Sequence, residues 1–367
     1  MTDSYETPLG SGVAHLSRTS SAIRPPTENE LLRVEDLSVS FPTEDGVVKA
    51  VRGVSYSLRE REVLGIVGES GSGKSVSSMA VMGLLPKSAQ ITGRILFRGD
   101  DVLQMSPKQQ RGLRGRKIGM IFQDPMTALN PVYSVGDQLA EAVRSHEVVS
   151  KKAALRRAEE MLDLVGIPQP KQRLRNYPHE FSGGMRQRAM IAMAVINNPD
   201  VIIADEPTTA LDVTVQAQIL EKLIEVKDAV NAAIVLITHD LGVVAGMAHR
   251  VLVMYAGRSV ELGSTDDIFY RPRMPYTGGL LGSIPSLEGD SERLRPIKGA
   301  PPSLINLPSG CPFQPRCPLA TDICREVEPP LAPTDDHDHA AACHHWDQMA
   351  EAEDPTAFFR TESEAQR

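Results

Sequence analysis

The eight residues Gly68-Glu69-Ser70-Gly71-Ser72-Gly73-Lys74-Ser75 constrain this chain more than any other feature. They fit G-x-x-x-x-G-K-[ST], follow the apolar run VLGIV (63–67) and precede VSSMAVMGLL. A short apolar strand, a glycine-rich turn and a helix are the context in which that pattern grips phosphate. Glycines let the backbone turn its N–H groups inward around an anion, and the helix N-terminus adds a positive dipole end. In this reading Gly68, Ser70, Gly71, Ser72 and Gly73 cradle a nucleotide's phosphates, Lys74 reaches the β and γ phosphates, and Ser75 holds Mg2+.

The surrounding pattern sets the fold class. VIIAD (201–205) and AIVLIT (233–238) are apolar on both faces, as VLGIV is. Such strands separated by helical stretches predict an α/β fold, a mostly parallel sheet with helices over it. LLRVEDLSVSF, from Leu31, alternates loosely and reads as a strand. Residues 124–188 change character and read as a helical insertion, with a helix over 151–165 whose apolar positions are Leu155, Met161, Leu162 and Val165. Asp205 and Glu206 end VIIAD, so the strand delivers two acids to its C-terminal edge, the usual ligand crevice of an open α/β sheet. Asp205 is expected to bind Mg2+ through water and Glu206 to polarise the attacking water as a general base. A solvated strand end is the other reading of an isolated Asp-Glu pair.

Both ends and the composition add limits. Residues 1–30 are rich in Ser, Thr, Pro and Glu and read as a disordered tail. Residues 266–346 hold 13 of the 27 prolines and all four cysteines. So many prolines forbid long helices and central strands. With little apolar periodicity, the segment is expected to need a staple. Residues 347–367 are polar and read as a second disordered tail. The chain carries 39 Lys+Arg against 47 Asp+Glu, a net charge of −8, which argues against a general nucleic-acid binder. No apolar stretch approaches the ~18–20 residues that span a bilayer, and the first thirty residues lack a signal-peptide core. The expectation is a chain that docks on a membrane without crossing it, in a reducing compartment.

At this point the residues resemble a family, the nucleotide-binding subunits of ABC transporters. Phe181-Ser182-Gly183-Gly184-Met185-Arg186-Gln187-Arg188 resembles that family's signature sequence, which ordinary phosphate-loop GTPases and helicases lack. Gln123 in IFQDP is similar to its Q-loop, Ala210-Leu211-Asp212 to its D-loop, and His239 in ITHD to its switch histidine. Phe41 stands where the family places an adenine-stacking aromatic, often Tyr; a core phenylalanine is the alternative. The resemblance implies a phosphate-loop NTPase core with an antiparallel β subdomain, spanning residues 31–265, with the helical subdomain at 124–188. It implies ATP and Mg2+, with Gln123 a further Mg2+ ligand, and a head-to-tail pair of domains. Ser182, Gly183, Gly184 and Asp212 of one protomer would then complete the site of the other. Standing alone, Ser182 reads as an ordinary helix cap.

QDPMTALNPVYSVGDQ and IKGAPPSLINLPSGCPFQPRCPLATDIC narrow the resemblance to the oligopeptide, dipeptide and nickel importer branch. This implies two transmembrane permease subunits, a second and different ATP-binding subunit, and an extracytoplasmic substrate-binding protein. It also implies peripheral location on the cytoplasmic face of the inner membrane. Cys311, Cys317, Cys324 and Cys343 are spaced C-x5-C-x6-C-x18-C, without zinc-knuckle or ferredoxin spacing. The branch includes members with a 4Fe–4S cluster, so one is implied here; zinc and unliganded thiols stay open. His337, His339, His344 and His345 crowd the fourth cysteine and read as solvated. Two competing functions remain: a soluble ABC ATPase acting on nucleic acid or ribosomes, and an iron–sulfur regulatory ATPase.

Overall fold

The computed structural model describes residues 29–208, 212–283, 297–335 and 338–359. The expected first tail and residues 360–367 lie almost wholly outside that range. Twelve strands are described: β1 (Glu30–Thr43), β2 (Gly46–Arg59), β3 (Val63–Val67), β4 (Gln90–Phe97), β5 (Asp100–Asp101), β6 (Ile118–Ile121), β7 (Val201–Asp205), β8 (Ala233–Ile237), β9 (Arg250–Tyr255), β10 (Arg258–Ser264), β11 (Ala332–Pro333) and β12 (Ala340–Ala341). They form two sheets, one ordered β2-β1-β4-β5 and the other β11-β12-β10-β9-β3-β8-β7-β6.

The first sheet is antiparallel throughout. In the second, β6, β7, β8, β3 and β9 run parallel, and β10, β12 and β11 add an antiparallel edge. Every residue of β3, β7 and β8 is buried, which is why these strands read as unbroken apolar runs. The two faces of the parallel part carry different cores. Val63, Ile202, Ala204, Ile234 and Leu236 face one cluster, shared with the helical segment. Leu64, Ile66, Val201, Ile203, Val235 and Ile237 face another, shared with the antiparallel sheet. Successive strand residues point to opposite faces, so both layers follow from the same pentapeptides.

The helical segment contains the helices Val135–Arg144, Lys151–Leu164 and Gly183–Val195. Ser134, Ser150 and Ser182 cap them, each accepting a backbone N–H three residues on. The boundary expected at Arg188 falls inside the last helix, which continues to Val195 because Ala189, Met190, Ile191 and Ala192 are buried in the first cluster.

Two expectations about the C-terminal third need correction. Its helices are short, Thr265–Tyr270, Pro275–Leu281 and Asp322–Glu326, as its prolines require. It nevertheless has a core of its own. Tyr276 and Phe313 are fully buried against Tyr255 of β9, with ring centroids 4.6–5.3 Å apart. This segment borrows apolar surface from the sheet edge, which periodicity within the segment cannot reveal. Second, the tail read as disordered from residue 347 is folded as far as Phe359. Trp346–Glu351 is a helix that buries Met349, and Phe359 approaches Gly279.

Candidate active site

The phosphate loop runs from β3 to the helix Lys74–Val81. Gly68 and Gly73 have φ of 149° and 98°, a region open to glycine. Space requires glycine as well: a Cβ at Gly68 would strike the Met254 carbonyl, and one at Gly73 the Ala50 carbonyl. The loop is therefore wedged between β2 and β9. Lys74 is buried, and its Nζ donates to the carbonyls of Gly68 (2.7 Å) and Glu69 (3.0 Å). Burial lowers the Lys74 pKa, opposed by the nearby Glu206, Asp205 and Glu69 carboxylates. The Ser72 hydroxyl is buried without a hydrogen-bond partner, and Ser70 and Gly71 are exposed at the loop's outer turn. An orphaned donor, a buried cation and glycine-shaped backbone fit a phosphate chain.

The acidic pair lies beside it. Ser75 Oγ donates to Asp205 Oδ1 at 2.9 Å, which brings two of the three residues expected at Mg2+ together. Asp205 is 4% exposed, and burial raises its pKa. Glu206 takes a left-handed backbone, φ 48°, and its N–H donates to the Ile237 carbonyl of β8. That turn aims its carboxylate at two neighbours. Gln123 Nε2 donates to Glu206 Oε2 at 3.0 Å, and His239 Nδ1 lies 3.4 Å from Glu206 Oε1. Residues from three strand ends, β6, β7 and β8, thus converge on one carboxylate beside the phosphate loop. Gln123 engages Glu206 here, not the Ser75–Asp205 pair.

Other expected residues stand apart. Phe41 lies on β1 opposite Val48, is partly buried and packs at the edge of the second cluster. Ser182 caps its helix by accepting the Met185 N–H at 3.3 Å, with Gly183 and Gly184 opening that helix. Asp212 likewise caps Val213–Val230 through the Val215 N–H at 3.0 Å. Ala210 and Leu211 lie outside the described residues, as does His337.

Cys311, Cys317, Cys324 and Cys343 are free thiols that line one pocket with His344 and His345. Burial pushes Cys317 and Cys343 up to about 12 and raises Cys311 as well. Among the described residues no group of three or more His, Cys, Asp or Glu side chains stands ready to hold a metal ion. The donor type therefore suits the implied 4Fe–4S or zinc group, and the arrangement does not provide its ligand geometry. The histidines are not simply solvated. His339 is buried against Glu261 at 2.8 Å, His344 meets the Val327 carbonyl, and His345 meets Thr321.

Sequence reasoning missed Arg316 and Tyr276, which reach Glu69 of the phosphate loop from more than 200 positions away. No local spacing signals such a contact.

Comparison with known proteins agrees with this geometry. The model of the family "ABC transporter" matches residues 51–209, and that of "Oligopeptide/dipeptide transporter, C-terminal region" matches 260–324. The chain is 56% identical over 324 residues to the dipeptide transport ATP-binding protein DppD of Bacillus subtilis, covering 88% of this chain and 96% of that one. It is 52% identical over 314 residues to the oligopeptide transport ATP-binding protein OppD of Salmonella typhimurium, covering 86% and 93%. The dimeric structure of the ATP-binding cassette MJ0796 in a post-hydrolysis state shares the fold at TM-score 0.57 and 24% identity, over 64% of this chain and 99% of that one. Among the described residues no helix is long and apolar enough to cross a membrane. The phosphate loop, the carboxylate held by Gln123 and His239, and the cysteine-bearing extension thus meet in one chain, which belongs to the family of ATP-binding subunits of oligopeptide and dipeptide ABC transporters.

Proposed function

We propose that this chain hydrolyses ATP to energise peptide uptake through two membrane-spanning permease subunits. It works as a peripheral subunit on the cytoplasmic face of the inner membrane, beside a second, different ATP-binding subunit and fed by an extracytoplasmic substrate-binding protein. Residues 31–265 form the nucleotide-binding domain and 266–346 the extension. The observation that carries the reading is Glu206, held by Gln123 and His239 next to the Ser75–Asp205 pair. Lys74 leaves the loop carbonyls for the phosphates. Mg2+, held near Ser75 and Asp205, would neutralise charge on the phosphate oxygens. Glu206 takes the proton of the attacking water, with His239 and Gln123 fixing its carboxylate.

Ser182, Gly183, Gly184 and Asp212 would complete the partner's nucleotide site. The signature helix packs into the first cluster and the phosphate-loop helix into the second, on opposite faces of the sheet. ATP binds the closed pair better than the open one, and that differential affinity is what moves a two-state equilibrium. Glu206→Gln is expected to keep ATP binding and cut turnover by at least about 100-fold in the assembled transporter, the usual worth of a general base. Normal turnover in that variant would refute the role. The four-cysteine pocket is read as a 4Fe–4S site, with zinc as the alternative, on the support of four thiols lining one pocket.

A further inference from the structure

We propose that Arg316 is a positioning residue for ATP binding, through which the C-terminal extension sets the phosphate loop's first turn. The inference rests on the ATP-site reading above. Arg316 Nη1 and Nη2 donate in parallel to Glu69 Oε2 and Oε1 at 2.6 and 2.8 Å. The Arg316 side chain is 5% exposed, and Glu69 keeps 26% of its surface open. The guanidinium lies 5.9 Å from the ring centroids of both Tyr255 and Phe313, and it also donates to Tyr255 Oη and the Lys298 carbonyl. A second arm comes from the same side: Tyr276 Oη accepts the Glu69 N–H at 2.8 Å.

Glu69 is thus held at three points. Arg316 and Tyr276, both beyond residue 266, grip its carboxylate and its N–H, and Lys74 takes its carbonyl. When Lys74 turns to the phosphates, the two contacts from the extension remain. They keep the loop's N–H groups aimed without help from the lysine. Charge gives the fork a second task. Glu69 is a carboxylate inside an anion-binding loop, and left unpaired it repels the incoming phosphates. A bidentate guanidinium neutralises it at fixed geometry, which an ammonium cannot reproduce.

The test measures binding of the fluorescent nucleotide TNP-ATP to the purified full chain, and KM and kcat of the assembled transporter. Arg316→Met is expected to weaken binding about tenfold, the scale of one lost charge-assisted pair. Adding Glu69→Gln should recover most of that loss, because the orphaned charge is gone. Arg316→Lys should weaken binding about threefold, since it keeps charge and loses the fork. In each case KM should rise while kcat at saturating ATP changes less than about twofold, as for binding common to ground and transition states. A purely structural ion pair would lower the melting temperature and leave nucleotide affinity unmoved. Affinity within twofold of wild type in Arg316→Met, or a double variant as weak as the single, overturns the proposal. If Arg316→Met does not fold, wild-type affinity in Arg316→Lys overturns it equally. Wild-type chain that binds no nucleotide would bring down the ATP-site reading and this proposal together, whereas wild-type binding with unmoved variants removes this proposal alone.

Discussion

Asp205 shows how a single side chain sets function against stability. It closes a strand whose five residues are all buried, and it is itself 4% exposed. Burial outweighs the hydrogen bond from Ser75 and raises its pKa from the ordinary 3.8. The fold prefers the protonated carboxyl, so its contribution to stability is complete below 3.8 and is lost as pH rises through the elevated value. Above that elevated value the nucleotide-free protein bears the cost of the buried charge, which the Mg2+ proposed at Ser75 and Asp205 would relieve. Asp205→Asn is therefore expected to raise the melting temperature of the nucleotide-free chain by about 1 °C, the shift of a little under about 1 kcal/mol in a chain this size. The same change should abolish Mg2+-dependent hydrolysis, the trade expected where an active site stores unfavourable charge. Thermal unfolding without nucleotide, read at pH 7, checks the sign. A lower melting temperature would mean that the Ser75 bond outweighs burial.

At the scale of elements, legibility followed the range of the interactions. β3, β7 and β8 stand out because burial on both faces writes itself into five consecutive apolar residues. Helix Lys151–Leu164 is visible in its period, and Ser182 as its own helix's cap. The Glu206 cage was readable only as separate motifs; its Gln123 and His239 contacts depend on three strand ends meeting. The extension was the least legible part. Its core forms from Tyr255 on one strand and Tyr276 and Phe313 far along the chain, so no window of sequence contains it. That core bears on the thiol pocket. An extension already held by buried aromatic rings does not depend on a metal for folding in the way a zinc finger does. Under the metal-site proposal alone, purified protein carries iron with acid-labile sulfide, or else zinc, and Cys324→Ser loses it. Chelation should lower the melting temperature by a few degrees, about 1–2 kcal/mol, without unfolding the chain. Absence of iron, sulfide and zinc from the anaerobically purified chain would leave four buried or half-buried thiols with a packing role only.

For the whole molecule, the two cores on the faces of the parallel sheet divide the labour. One face of the parallel sheet carries the antiparallel sheet and the phosphate-loop helix, and the other carries the helical segment. Gln123 joins them: it follows β6, touches Glu206 at the site, and leads directly into the helical segment. Just beyond it the chain exposes large apolar side chains, Met126 at 52%, Val132 at 70% and Tyr133 at 56%. Single exposed apolar residues are ordinary; under the proposed function, these three within eight positions on the arm that follows Gln123 are where a permease subunit would seat. A permease loop seated there would sense movement of Gln123 as Glu206 loses its phosphate neighbour. Charge placed in that patch should then separate coupling from chemistry. Val132→Glu combined with Tyr133→Glu is expected to leave nucleotide affinity of the isolated chain within about twofold, since neither side chain touches the phosphate loop, while reducing recovery of permease subunits from detergent extracts at least about tenfold, the cost of burying unpaired carboxylates at an interface. Undiminished recovery of multi-span partners with the double variant would place the docking surface elsewhere on the helical segment. Recovery of ribosomes in place of membrane proteins, by variant and wild type alike, would instead support the soluble ATPase reading.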